Sequence, residues 1–100
     1  MNTKKARNKT QAKSVSVAFT KNGWEDYQHW QTNDKQMVDA INRLLSECLR
    51  DPFKGTGRPE PLVGSLTGYW SRRIDREHRL VYLPEDGVIY VLACRYHYSK

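Results

Sequence analysis

Apolar positions recur along this chain with two different periods, and the switches between them divide it into elements. Val15, Val17 and Phe19 alternate with Ser14, Ser16 and Ala18, the pattern of a short half-buried strand. Asn22 followed by Glu25 fits a capping box, and Trp24, Tyr27 and Trp30 follow at helical spacing. A first helix is therefore expected from about Gly23 to Gln31, with its aromatics in the core. A second cap, Asn33 with Gln36, opens the longest periodic segment. In it Met37, Val38, Ile41, Leu44, Leu45, Cys48 and Leu49 form one apolar stripe that Pro52 ends. His29, between the helices, reads as a surface or boundary residue.

From Pro52 to Pro61 the chain is too rich in Gly and Pro for a regular element and reads as a loop with stiff parts. Glu60 lies between two prolines, which biases its backbone to an extended conformation and limits where its carboxylate points. An exposed loop acid is the ordinary fate of such a residue. From Gly68 to Tyr82 the pattern is that of a hairpin. Period-2 alternation puts Trp70, Arg72 and Ile74 on one face and Tyr69, Ser71 and Arg73 on the other. Asp75 to His78 form a polar turn, and Arg79 starts a strand through Leu83. Arginines beside aromatics suit phosphate and exposed bases; taken alone, the stretch reads as a solvated sheet face with surface arginines. The Asp86-Gly87 pair signals a turn. Val88 to Ala93 is a continuous apolar run, expected to be a central strand buried on both faces. It leads directly into Cys94-Arg95-Tyr96-His97-Tyr98. Histidine is the side chain best suited to exchange a proton near neutral pH, although a lone histidine is more often a bystander.

With 100 residues, 38% of them hydrophobic, and three tryptophans, the chain supports one small domain with one core. The sequence has no apolar run near the roughly 18 residues of a membrane span and no signal peptide, so it reads as a cytosolic protein without a membrane partner. Cys48 and Cys94 lack CxxC spacing and read as buried thiols, and no Cys or His spacing supports a metal or calls for a cofactor.

The net charge of +6 changes meaning once it is divided along the chain. Residues 1 to 14 hold five cations (Lys4, Lys5, Arg7, Lys9, Lys13) and no acid. Residues 15 to 51 hold four cations and six acids, and residues 52 to 100 hold eight cations and five acids, so residues 15 to 100 net only +1. That region is polarised, which favours an oriented encounter with a polyanion. Residues 1 to 14 carry no aromatic or β-branched apolar side chain and are expected to be a disordered basic tail ahead of a domain at 15–100. The tail either helps hold RNA through counterion release, or is a solvated leader, or reflects a start codon upstream of the native one.

Trp24-Glu-Asp-Tyr27, Trp30-Gln31, Asp51-Pro-Phe53, Gly57-Arg-Pro-Glu-Pro-Leu62, Leu66-Thr-Gly-Tyr-Trp-Ser-Arg-Arg-Ile74, Glu77-His-Arg-Leu-Val-Tyr82 and Ala93-Cys-Arg-Tyr-His-Tyr98 together closely resemble the YoeB/Txe branch of the RelE-type toxins. The resemblance covers residues 15 to 98 in order. It implies an α+β fold with two N-terminal helices packed on a twisted, mainly antiparallel sheet. The activity it implies is that of a ribosome-dependent mRNA interferase, which cuts the message in the ribosomal A site and is silenced by a cognate antitoxin. The implied partners are the 70S ribosome with its mRNA and that antitoxin; a homodimer is compatible with the reading. Carried over residue by residue, the catalytic set is Glu60, Arg79, His97 and Tyr98. Arg73 matches a phosphate-contacting position, and Arg72, Lys54 and Arg58 join it as candidate RNA contacts. Three departures stand out: fourteen residues precede the first strand, Val63 occupies a position that is often basic, and Ser99 and Lys100 follow the final tyrosine.

The chemistry of these residue types agrees with that transfer. RNA cleaves itself when a base takes the 2′-OH proton, the crowded phosphorane is stabilised, and an acid protonates the departing 5′-oxygen. Glu60 is the natural base, Arg79 with Arg73 the electrostatic clamp, His97 the acid, and Tyr98 a group that orients or stacks on a base. Free Glu and His side chains titrate near about 4.3 and about 6.5, so such a pair holds opposite protonation states at mildly acidic to neutral pH. Two other readings share the fold: a toxin with a non-RNA target, such as a topoisomerase, and a non-catalytic module that binds an antitoxin and tunes its own operon.

Overall fold

The computed structural model describes residues 16–96. The expected basic tail at 1–14, the start of the first strand at Val15, and the candidate residues His97 and Tyr98 lie outside the described residues. The elements are β1 (Ser16–Phe19), α1 (Lys21–Asn33), α2 (Lys35–Arg50), β2 (Glu60–Pro61), β3 (Trp70–Arg73), β4 (Arg79–Glu85) and β5 (Val88–Ala93), with a 3-10 turn at Gly64–Leu66.

Helix starts are set by side chains that satisfy the free N–H groups of the first turn, and both starts differ from the sequence expectation by a residue or two. Thr20, not Asn22, caps α1: its Oγ1 accepts from the Gly23 N–H at 3.0 Å. Asn22 instead donates through Nδ2 to the Leu92 carbonyl at 2.9 Å, so the capping box with Glu25 does not form. Asn33 is the last residue of α1 and donates to the His29 carbonyl. Asp34 serves both helices, its N–H donating to the Trp30 carbonyl and its Oδ1 accepting from the N–H groups of Gln36 and Met37. An ionised carboxylate at that position also complements the positive end of α2. The helix ends where expected, at Arg50, with Asp51 as its cap ahead of Pro52.

The five strands lie in the order β1-β5-β4-β3-β2; β1 and β5 are parallel and the other neighbours antiparallel. This is the expected α+β arrangement of two helices on a mainly antiparallel sheet. The α2 stripe (Met37, Ile41, Leu44, Leu45, Cys48) packs with Trp30 against Leu80, Tyr82, Ile89, Val91 and Cys94. Each buried Leu or Ile side chain removed from water contributes about 1.5–3 kcal/mol, so this layer supplies most of what holds helices to sheet. A Cβ at Gly23 would stand 2.3 Å from the Val91 carbonyl oxygen, so glycine there lets α1 lie directly on β5. Asp86 and Gly87 both have positive φ (54° and 78°), as a two-residue hairpin between Glu85 and Val88 requires.

Two burial expectations are corrected. The run Val88–Ala93 is central by hydrogen bonding but covered on one face only: Ile89 and Val91 are buried while Tyr90 is exposed. Trp30 enters the core as expected, whereas Trp24 is exposed and packs beside Phe19 and Tyr27 at the edge.

Candidate active site

Side chains alternate across a strand, and directly paired residues of an antiparallel ladder point to the same side. In β3, Trp70 and Arg72 face the helices and Ser71 and Arg73 face away. The pairs Glu60 with Ser71, Ser71 with Val81, and Arg73 with Arg79 then gather Glu60, Ser71, Arg73 and Arg79 on the face turned from the helices, where Ser71 and Val81 are buried and Glu60 and Arg73 are exposed. Glu60 was expected in an irregular loop; it and Pro61 form the edge strand β2, where a proline without an N–H is tolerated.

Arg79 is the centre of this group. Its Nη1 donates to Ser71 Oγ at 3.1 Å and lies 3.5 Å from Glu60 Oε2. The Arg79 side chain is 14% exposed and that of Glu60 51%, so the guanidinium is held while the carboxylate stays open to a ligand. Arg73 is exposed beside it, and the Arg73 N–H donates to the Gly57 carbonyl at 2.7 Å, tying β3 to the loop that carries Arg58. Arg73, Asp75, Arg76 and Arg79 line a cavity of about 280 Å³. Asp75 Oδ1 already accepts from the N–H groups of Glu77 and His78. Three guanidinium groups around one hollow suit a phosphate, which they bind through forked N–H donors.

Arg72, expected to contact RNA, does not face this side. It is fully buried, and each N–H direction is occupied. Nε donates to Tyr82 Oη at 3.1 Å, Nη1 to Glu47 Oε1 and the Thr56 carbonyl at 3.3 Å each, and Nη2 to the carbonyls of Asp51 and Lys54 at 2.8 Å each. Tyr82 Oη in turn donates to the Pro52 carbonyl at 2.6 Å. Arg72 is thus the template around which the loop from Asp51 to Thr56 folds, and no donor is left for a phosphate. The Thr56 N–H, donating to Glu47 at 2.7 Å, and the Arg72 charge beside it hold the Glu47 carboxyl below the usual carboxylate value. Lys54 and Arg58 are exposed on the same loop, Arg58 with a left-handed φ of 54°.

The segment leaving β5 is held on two sides. The Cys94 N–H donates to Asp26 Oδ2 at 3.0 Å, and Trp30 Nε1 donates to the Cys94 carbonyl at 2.8 Å. The Tyr96 N–H donates to His78 Nδ1 at 2.6 Å, and the Arg79 N–H donates to the Tyr96 carbonyl at 3.1 Å. Burial pushes the Cys94 thiol up to about 12 and raises that of Cys48, so both stay protonated and unreactive. His78 and Ser71 were not singled out from the sequence. The signal for His78 was present: it continues by period 2 from Leu80 and Tyr82, both core residues, and is itself buried.

The family model for the YoeB-like toxin of bacterial type II toxin-antitoxin systems matches residues 19–98. The toxin YoeB of Streptomyces coelicolor is 56% identical over 84 residues, covering 84% of this chain and 100% of that relative. The solved YoeB/ParE toxin from Agrobacterium tumefaciens superposes with a TM-score of 0.80 at 45% identity, covering 84% of this chain and 100% of that one. The toxin of the heterotetrameric YoeB-YefM toxin-antitoxin complex from Staphylococcus aureus gives a TM-score of 0.78 at 47% identity, over 84% of this chain and 98% of that one.

Proposed function

We propose a function from the premise that the chain belongs to the YoeB-like toxins of bacterial type II toxin-antitoxin systems: it is a ribosome-dependent endoribonuclease that cleaves translated mRNA in the A site. The observation that carries this reading is the placement of Glu60, Ser71, Arg73 and Arg79 together on the sheet face turned from the helices, with Arg79 bonded through its own N–H to the residue that precedes His97 in the sequence.

In this reading Glu60 takes the proton from the ribose 2′-OH, and the 2′-oxygen attacks the adjacent phosphorus. Arg79 and Arg73 stabilise the charge that gathers on the phosphorane oxygens. The bond from phosphorus to the 5′-oxygen then breaks, and His97 supplies the proton that oxygen needs. The products are a 2′,3′-cyclic phosphate and a 5′-hydroxyl. Tyr98 orients or stacks on a base beside the scissile bond, while Lys54 and Arg58 contact the backbone of the message.

A free carboxylate is a weak base for a hydroxyl, and residues 15 to 100 net only +1, too little to hold RNA alone. Both deficits are met if the ribosome aligns the message, since orientation alone supplies several kcal/mol of a barrier. A cognate antitoxin that covers the arginine face is the implied inhibitor. The test is to map cut sites on one message in a translation extract and as naked RNA at matched salt. Cleavage confined to the translated message supports the reading, and equal cleavage of naked RNA contradicts it.

A further inference from the structure

We propose that His78 is a positioning residue whose imidazole holds the backbone of Tyr96, the residue that precedes the proposed acid His97 in the sequence. The proposal rests on the cleavage reading above for its kinetic consequences, but its structural part stands apart from that reading.

Tyr96 adopts φ 62°, a left-handed conformation that a tyrosine rarely takes and keeps only where its surroundings fix it. Both of its backbone polar groups are engaged by consecutive residues: the N–H by His78 Nδ1 at 2.6 Å, the carbonyl by the Arg79 N–H at 3.1 Å. The residue pinned in this unusual conformation immediately precedes His97 in the chain.

His78 is itself built in. Its N–H donates to Asp75 Oδ1 at 2.7 Å, and its carbonyl accepts from the Ile74 N–H at 2.9 Å. Its ring lies edge-on to Trp30 at 4.8 Å and tilted against Tyr96 at 5.4 Å. Nδ1 accepts only if it carries no proton, which places the ring hydrogen on Nε2, 3.7 Å from Glu77 Oε1. A buried imidazole of fixed tautomer, aimed at one backbone N–H, does more than fill space. It also links the two halves of the site, because the next residue, Arg79, makes the contact with Glu60.

The test uses full-length His78→Leu and His78→Asn, the second keeping a side-chain acceptor near the place of Nδ1. Amide exchange of Tyr96, read by NMR, is expected to be slow in the wild type, fast in His78→Leu and slowed again in His78→Asn. Equal exchange in all three overturns the proposal, whether or not the protein cleaves RNA. In ribosome-dependent cleavage, His78→Leu is expected to lower kcat by up to about 100-fold, the scale of a misplacement near 1 Å, with KM for programmed ribosomes unchanged. His78→Asn is expected to recover most of that loss. A message with a 5′-thio leaving group, whose sulfur departs without protonation, is expected to rescue His78→Leu to the same extent as His97→Gln. A fall in melting temperature that matches the activity loss, with no recovery in His78→Asn, contradicts positioning and makes His78 a packing residue. A wild-type protein that cleaves nothing on ribosomes defeats the cleavage reading instead, and the exchange measurement still decides the latch.

Discussion

Glu60 Oε2 and Arg79 Nη1 face each other at 3.5 Å across β3, each from a different flanking strand, so the proposed base and the proposed clamp neutralise one another until a phosphate arrives. In the proposed reaction a phosphate in the arginine hollow would compete for Arg79 and release the carboxylate toward the 2′-OH. Glu60→Gln therefore separates two effects. It is expected to lower kcat by at least about 100-fold through loss of the base, while binding to programmed ribosomes is equal or tighter because Arg79 loses its competing partner. Single-turnover kinetics with a separate binding assay checks this; weaker binding with unchanged kcat would make Glu60 a docking residue.

Adjacent arginines are expected to behave oppositely. Arg72→Leu strips the donor from three loop carbonyls and from Tyr82 Oη. It is expected to cost about 3 kcal/mol or more of stability, as breaking a buried charged network does. Arg73→Ala, at an exposed position, is expected to stay within about 0.5 kcal/mol of wild type in urea unfolding while cleavage falls. A stable Arg72→Leu protein would show that the loop from Asp51 to Thr56 is held by something else.

Acid is expected to loosen that loop through Glu47. Its folded pKa lies below the unfolded value of 4.5, first because the Thr56 N–H bonds the carboxylate and then because Arg72 lies nearby. The stabilisation is fully present above the unfolded value and is lost as pH falls through the lower folded one. Unfolding free energy measured against pH is expected to drop less steeply below pH 4.5 in Glu47→Gln than in the wild type; identical slopes would contradict the assignment.

The antitoxin is expected to present an acidic segment to the hollow that Arg73, Arg76 and Arg79 surround, because the α2 stripe is already spent on the core. Cross-linking from Arg73 and Arg79 positions would report it. Cross-links found only on the outer helix faces would make inhibition indirect.

Much of this molecule was legible because its periods are clean. The α2 stripe from Met37 to Cys48 is buried as its spacing implies, and the alternation in β3 assigned Trp70 and Arg72 to one face and Ser71 and Arg73 to the other. What alternation did not reveal is which face the helices cover. Trp70 and Ile74 pack against the core and carry Arg72 inward with them, where it serves the loop instead of RNA. The cap of α1 slipped because Thr20 is placed by tertiary contacts: its Oγ1 also donates to the Val91 and Leu92 carbonyls, partners more than 70 residues away. That of α2 slipped by one residue because Asp34, next to Asn33, accepts from both Gln36 and Met37. His78 was assigned to a polar turn because its neighbours Asp75, Arg76 and Glu77 are charged. Its burial depends on Trp30 and Tyr96, which only the fold brings to it.

The central claim is 2′-OH attack on a message held in the ribosome, and the most direct measurement replaces one 2′-OH with hydrogen at the nucleotide 5′ to a mapped cut. The account predicts that the 2′-deoxy message, programmed on the same ribosomes, binds but is not cut, and that the all-ribose message yields 2′,3′-cyclic phosphate and 5′-hydroxyl ends. Cleavage of the 2′-deoxy message at the same bond, or product ends bearing a 5′-phosphate, would contradict it.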